Sequence, residues 1–67
     1  GISIQNYLLD YRIRQACILL RSTELSVRAI AHAVSYADPL YFSRLFHQKK
    51  GISPSSYRKA ASPPVRP

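Results

Sequence analysis

Four residues between positions 40 and 47 have types and spacing suited to contacting the edges of nucleic-acid bases: Leu40, Ser43, Arg44 and His47. At 3.6 residues per helical turn they share one face of a helix. A guanidinium such as that of Arg44 donates two parallel hydrogen bonds to a guanine edge or a phosphate. The Ser43 hydroxyl can donate or accept at a base edge, and Leu40 can touch a thymine methyl group. Such a helix has few polar groups for base recognition, so it is expected to contribute more to affinity than to sequence choice.

A second set of residues is suited to binding phosphates: Ser26, Arg28, Lys49 and Lys50. Arginine and lysine supply positive charge, and a helix starting after Ser26 would present free backbone N–H groups. The whole chain is strongly basic, with ten Lys and Arg against three Asp and Glu and a net charge of +7. This excess is typical of proteins that bind nucleic acids. An anionic membrane surface would also attract it, so charge alone does not decide.

Two capped helices separated by a short turn are predicted to position these groups. Ser26 is a suitable N-cap for an eight-residue helix that begins at Val27. Asp38 is a suitable N-cap for a helix with Pro39 in its first position, where a missing N–H does no harm. This second helix is expected to run to Lys50 and to stop at Gly51.

The apolar residues of the two helices are spaced to lock them together. The helix that begins at Val27 has its apolar positions at i, i+3, i+4 and i+7. The expected contacts join two sets of residues, one from each helix: Val27, Ile30, Ala31 and Val34 with Phe42, Leu45 and Phe46. Two short helices locked in this way have the sequence form of a helix-turn-helix, whose second helix enters the major groove of double-stranded DNA.

A long helix is predicted to precede this pair, from about Ile4 to Arg21 with Ser3 as its N-cap. Its apolar residues form two faces, so it needs packing partners on more than one side. The rest of the chain is too small to cover both faces. In addition, Gly1-Ile2-Ser3 with Tyr7 recurs as Gly51-Ile52-Ser53 with Tyr57. Because the second copy follows the predicted helix 39–50, the first copy should follow a similar helix, and the chain is interpreted as a fragment.

The C-terminal part is predicted to hold a short fourth helix and a tail. Ser53-Pro54 opens a helix that extends to about Ala60, in which Tyr57 can pack on the core. Residues 61–67 hold three of the five prolines and are predicted to be a disordered Pro-rich tail. The predicted organisation is therefore a linker helix at 1–21, a helix-turn-helix subdomain with a closing helix at 26–60, and the tail.

The sequence resembles the signature region of AraC/XylS-type transcription regulators. The resemblance rests on the joint spacing of these residues: Ile30-Ala31, Asp38, Tyr41-Phe42-Ser43-Arg44, Phe46, Gly51, Ser53-Pro54 and Tyr57-Arg58. The long helix predicted at the start of the chain also resembles the family's linker helix, through Tyr7-Leu8, Arg12, Ala16 and Leu19-Leu20.

The resemblance implies an all-α fold with homeodomain-like three-helix packing. In that family, two helix-turn-helix units joined by a long helix bind adjacent major-groove segments. The chain would then carry the linker and the second unit, and its parent would have a separate effector-sensing or dimerisation domain. Double-stranded DNA is the implied partner, RNA polymerase a possible additional one, and the cytoplasm the expected compartment.

The sequence departs from the family pattern at two positions. The family usually has glycine in the turn where this chain has Ser35, and a left-handed serine there would cost about 1 kcal/mol. The family often has lysine where this chain has His47, so a contact at that position would be weaker or would depend on pH.

Two other functions fit the sequence less well than DNA binding, and a third would accompany it. An enzyme is disfavoured because no metal-ligand spacing, phosphate loop or nucleophile motif is present, and no cofactor or metal is expected. A membrane-bound amphipathic peptide is disfavoured because it would need no turn or caps. A protein-interaction surface would add to DNA binding rather than replace it. The lone Cys17 fits a place in the core better than a reactive role.

Overall fold

The computed structural model describes residues 4–61, with side chains from Asn6 onward, as a four-helix arrangement. The helices are α1 (Ile4–Ser22), α2 (Val27–Ala33), α3 (Pro39–Lys50) and α4 (Pro54–Ala61). The described residues contain no strand, and the predicted all-α fold is confirmed. Helix α1 ends one residue later than predicted, and α4 includes Ala61, which had been assigned to the tail. The predicted cap at Ser3 and residues 62–67 of the predicted tail lie outside the described range.

Side-chain caps begin the helices that follow α1. The Ser26 Oγ accepts a hydrogen bond from the backbone N–H of Ala29 at 3.1 Å, and the Asp38 carboxylate accepts one from Leu40 at 3.0 Å. The Ser53 Oγ likewise accepts from the N–H of Ser56 at 3.1 Å. Each bond satisfies an N–H group that has no partner within its own helix. The predicted starts of α2 and α3 are therefore confirmed.

Left-handed residues end α2 and α3. Ser35 has φ of 78° and follows the C-cap Val34, so α2 is one residue shorter than predicted. The Ser35 N–H donates to the His32 carbonyl and the Tyr36 N–H donates to the Ala31 carbonyl, which together form a Schellman motif. Gly51 has φ of 83° and its N–H donates to the His47 carbonyl at 2.7 Å. Only at Ser35 does a side chain in the described residues have to tolerate a positive φ.

The core joins one face of α1 to the helix-turn-helix pair. Its buried residues are Ile13, Ala16, Cys17, Leu20, Ile30, Ala31, Val34, Phe42 and Phe46. Val27 and Leu45, which were also predicted to lock α2 to α3, are only partly buried. The rings of Tyr36, Phe42, Phe46 and Tyr57 follow one another with centroids 5.5–5.9 Å apart, so Tyr57 of α4 packs on the core as predicted.

Helix α4 is fastened to the end of α1 by Arg58. Its guanidinium donates to the carbonyl oxygens of Leu20, Thr23 and Leu25 at 3.1, 3.2 and 2.7 Å. Arg21 donates in turn to the hydroxyl of Tyr57 at 3.0 Å. These bonds join residues more than thirty positions apart, and they hold the loop between α1 and α2 in place.

The opposite face of α1 has no packing partner among the described residues. Tyr7, Leu8, Tyr11 and Ile18 are all exposed, with Tyr7 at 66%. A groove beside them is lined by α1 and by the end of α2, including Gln15, Ala33 and Val34. The two-faced character predicted for this helix is therefore present, and the structure buries one of the two faces. Among the described helices, none combines the length and the apolarity that crossing a bilayer requires.

Candidate nucleic-acid interface

Helix α3 has one buried and one exposed face. Phe42 and Phe46 are completely buried against α1, α2 and α4, so the helix is held rigidly. On the opposite side Leu40 is 76% exposed, and Arg44 and His47 are exposed as well. Ser43 lies at the margin of this outer face and is partly buried. The helix thus presents a polar surface with a fixed orientation.

The side chains of Arg44 and His47 are not engaged by the part of the chain that the structure describes. Neither forms a side-chain hydrogen bond or an ion pair with any other described residue. A donor that is exposed and has no internal partner can bind a ligand without first breaking a native contact. The four residues predicted from the sequence to contact bases therefore include two charged or polar groups that are available for binding.

The sequence analysis missed Gln48, which also lies on the outer face of α3. It follows Arg44 by four residues, is exposed, and has no partner within the described chain. At 100° per residue Gln48 is at least as close to the centre of the outer face as Ser43. The helical period therefore contained the signal.

The predicted phosphate contacts differ in availability. Arg28 and Lys50 are exposed and have no internal partner among residues 4–61. The Ser26 hydroxyl accepts the capping bond from Ala29, so its part in anion binding would be limited to ordering the first turn of α2. Lys49 is already paired, because its Nζ lies 2.9 Å from the Asp10 carboxylate of α1.

The basic residues divide into a structural and an exposed group. Lys49 pairs with Asp10, Arg58 and Arg21 fasten α4, and the Arg12 guanidinium lies 5.3 Å from the centre of the Tyr36 ring. The stacked Arg12 agrees with a structural role for that position. The exposed cations without internal partners in the described chain are Arg14, Arg28, Arg44, Lys50 and Lys59. Helix α3 therefore has two exposed cations available for binding, Arg44 and Lys50.

The described residues contain no group of His, Cys, Asp and Glu side chains placed to hold a metal ion. His32 is exposed on α2, and Cys17 is buried in the core. The exposed face of α3 offers hydrogen-bond donors and positive charge.

Comparison with known proteins shows similarity over nearly the whole chain. Residues 1–60 match the family model of a helix-turn-helix domain. The chain is 48% identical over 56 residues to the MmsAB operon regulatory protein of Pseudomonas aeruginosa, covering 84% of this chain and 18% of that protein. It is 41% identical over 58 residues to the arabinose operon regulatory protein of Escherichia coli, covering 87% of this chain and 20% of that protein.

A solved structure has the same fold. The C-terminal domain of AraT, a response regulator from Geobacillus stearothermophilus, matches with a TM-score of 0.91 and 37% identity, covering 100% of this chain and 55% of that one. The chain spans about a fifth of the length of the curated relatives above. The matched range, residues 1–60, contains the motif residues of α2, α3 and α4. The chain belongs to the AraC/XylS-type family of helix-turn-helix transcription regulators.

Proposed function

We propose that this chain is a DNA-contacting module of a bacterial transcription regulator, with α3 inserted in the major groove. The observation that carries the proposal is the division of α3 into two faces. Phe42 and Phe46 are fully buried, while Arg44 on the opposite face is exposed and unpartnered in the described chain. A recognition helix requires this combination, because its position must be fixed before its outer face can contact specific base edges.

The proposed base contacts are those of the outer face: Leu40, Ser43, Arg44 and His47. Arg44 is the principal one, since its guanidinium can bond the O6 and N7 atoms of guanine simultaneously. Arg28 and Lys50 are the proposed phosphate contacts, with the N-terminus of α2 behind Ser26 as a further one. Lys49 can contact a phosphate only if its ion pair with Asp10 breaks first.

We further propose that α1 is a linker helix and that residues 26–60 form the second of two helix-turn-helix units. The exposed Tyr7, Leu8, Tyr11 and Ile18 supply an apolar face for the first unit to cover. The solved relative supports this interpretation, because its C-terminal domain is nearly twice as long as this chain. A module with one of two units should bind weakly, with a Kd of about 10⁻⁴–10⁻⁶ M.

The chain covers only a small part of the curated relatives, which supports a parent protein with a separate effector or dimerisation domain. The cytoplasm is the proposed compartment, because a regulator of this family must reach chromosomal DNA. A non-catalytic role fits relatives that are operon regulatory proteins. Contact with RNA polymerase stays a prediction of the resemblance.

The proposal is tested by titrating a fluorescent mixed-sequence duplex with the chain and measuring anisotropy at several salt concentrations. The logarithm of the affinity should fall linearly with the logarithm of the salt concentration, with a slope of about −3 to −5. Arg44→Ala should weaken binding by more than the loss of one charge does, because Arg44 is proposed to contact base edges as well as to supply charge. Lys59→Ala is the matched control, because it removes the same charge from α4.

Equal effects of the two substitutions would show that only net charge matters, and the placement of α3 in the groove would be wrong. Absence of binding at low salt, with a helical circular dichroism spectrum, would refute DNA binding by this chain.

A further inference from the structure

Gln48 is an exposed amide on the outer face of the helix that carries Arg44. We infer that Gln48 is a specificity-determining residue of α3, and that its amide contacts an adenine close to the guanine contacted by Arg44. The inference rests on the proposed function, because it requires α3 to lie in the major groove. It adds recognition of adenine to the guanine contact proposed for Arg44.

The spacing of the two residues places their side chains together. Residues four apart on a helix are neighbours on one face, separated by about 6 Å along the axis. Successive base pairs are about 3.4 Å apart along the DNA. If α3 follows the groove, Arg44 and Gln48 therefore reach base pairs about two steps apart.

The chemistry of the side chain selects the base. An amide offers an NH2 donor group and a carbonyl acceptor in one plane, which match the N7 acceptor and the N6 donor of adenine. Gln48 is exposed and forms no hydrogen bond with another described residue, so no native bond opposes this use. Gln15, another glutamine with a described side chain, is partly buried on α1 and lines the groove beside α2.

The positive charge in the last turn of α3 supports a DNA contact near Gln48. Lys50, two residues after Gln48 in the last turn of α3, is exposed. Cations in the last turn can hold that end of the helix against the phosphate backbone. In contrast, Ser43 is short and partly buried, and Leu40 has no donor, so neither can replace the amide.

The test is selection from a library of randomised duplexes, carried out at low salt with the 67-residue chain and three variants. Gln48→Ala should lose the adenine preference at one position, by roughly 5- to 150-fold relative to the other bases, and should keep the guanine preference. Gln48→Glu should favour cytosine there, because a carboxylate accepts from the cytosine N4 amino group. Gln15→Ala is the matched control and should select the same sequences as the unchanged chain.

The salt titration on mixed-sequence DNA separates this inference from the proposed function. Gln48→Ala should keep the salt slope of the unchanged chain, since no charge is removed, and its affinity for mixed sequence within about twofold. If the chain binds with the expected slope but Gln48→Ala selects the same sequences as the unchanged chain, the inference is overturned and the proposed function stands. Selection of no preferred sequence by the unchanged chain would also overturn it. Failure of the unchanged chain to bind mixed-sequence DNA would overturn both.

Discussion

Replacing Ser35 with glycine should stabilise the fold. Ser35 ends α2 with φ of 78°, and the hydrogen bonds of its own N–H and that of Tyr36 keep it at that angle. A left-handed conformation costs an L-residue with a Cβ about 1–2 kcal/mol. The Ser35 side chain is exposed and makes no hydrogen bond with another described residue, so its removal loses no hydrogen bond.

The gain is reduced by the greater freedom of glycine in the unfolded chain, which costs about 0.4–1 kcal/mol. The net increase in the free energy of unfolding should therefore be about 0.5–1 kcal/mol. For a domain of this size, that corresponds to a rise in Tm of about 2–8 °C. Urea and thermal unfolding followed by circular dichroism at 222 nm would measure both quantities.

Two further substitutions isolate the backbone contribution. Ala37→Gly, in the same turn but without a positive φ, should lower stability by about 0.5–1 kcal/mol. Gly51→Ala should lower it by about 1 kcal/mol through backbone strain alone, because no atom lies within 4 Å of an added Cβ. The reasoning is refuted if Ser35→Gly destabilises the protein as Ala37→Gly does, since the angle at Ser35 would then carry no cost.

Two other predictions concern the Asp10–Lys49 pair and the exposed face of α1. Asp10→Asn should free Lys49, make the salt slope of DNA binding more negative by about 0.9, and cost at most about 1 kcal/mol of stability, because both groups are partly exposed. Glu24→Gln, which removes an exposed acid with no ion pair to another described residue, is the control, and an equal change of slope would show that Lys49 does not reach DNA. Ile18→Lys should change the free energy of unfolding of this chain by less than about 0.5 kcal/mol, since Ile18 is 41% exposed. In a longer chain that includes the first unit, chemical denaturation should show a loss of more than about 2 kcal/mol, and an unchanged value would mean that this face is not covered.

The starts and ends of the helices could be predicted because they depend on neighbouring residues. Ser26 and Asp38 each cap a helix through a bond that spans two or three positions. Gly51 ends α3 for a similarly local reason, since it adopts a φ that other residues resist. The outer face of α3, Gln48 included, was also predictable from the helical period.

The sequence by itself therefore determined the local plan: an all-α chain, a capped helix-turn-helix and an outer face that carries Arg44. Only the tertiary structure decided which face of α1 enters the core, that Lys49 is held by Asp10, and that Arg58 fastens α4 to three distant carbonyls. The physical reason is distance along the chain. Caps and helical periods act over four residues or fewer, whereas a lysine or arginine can meet many distant partners, and packing selects among them.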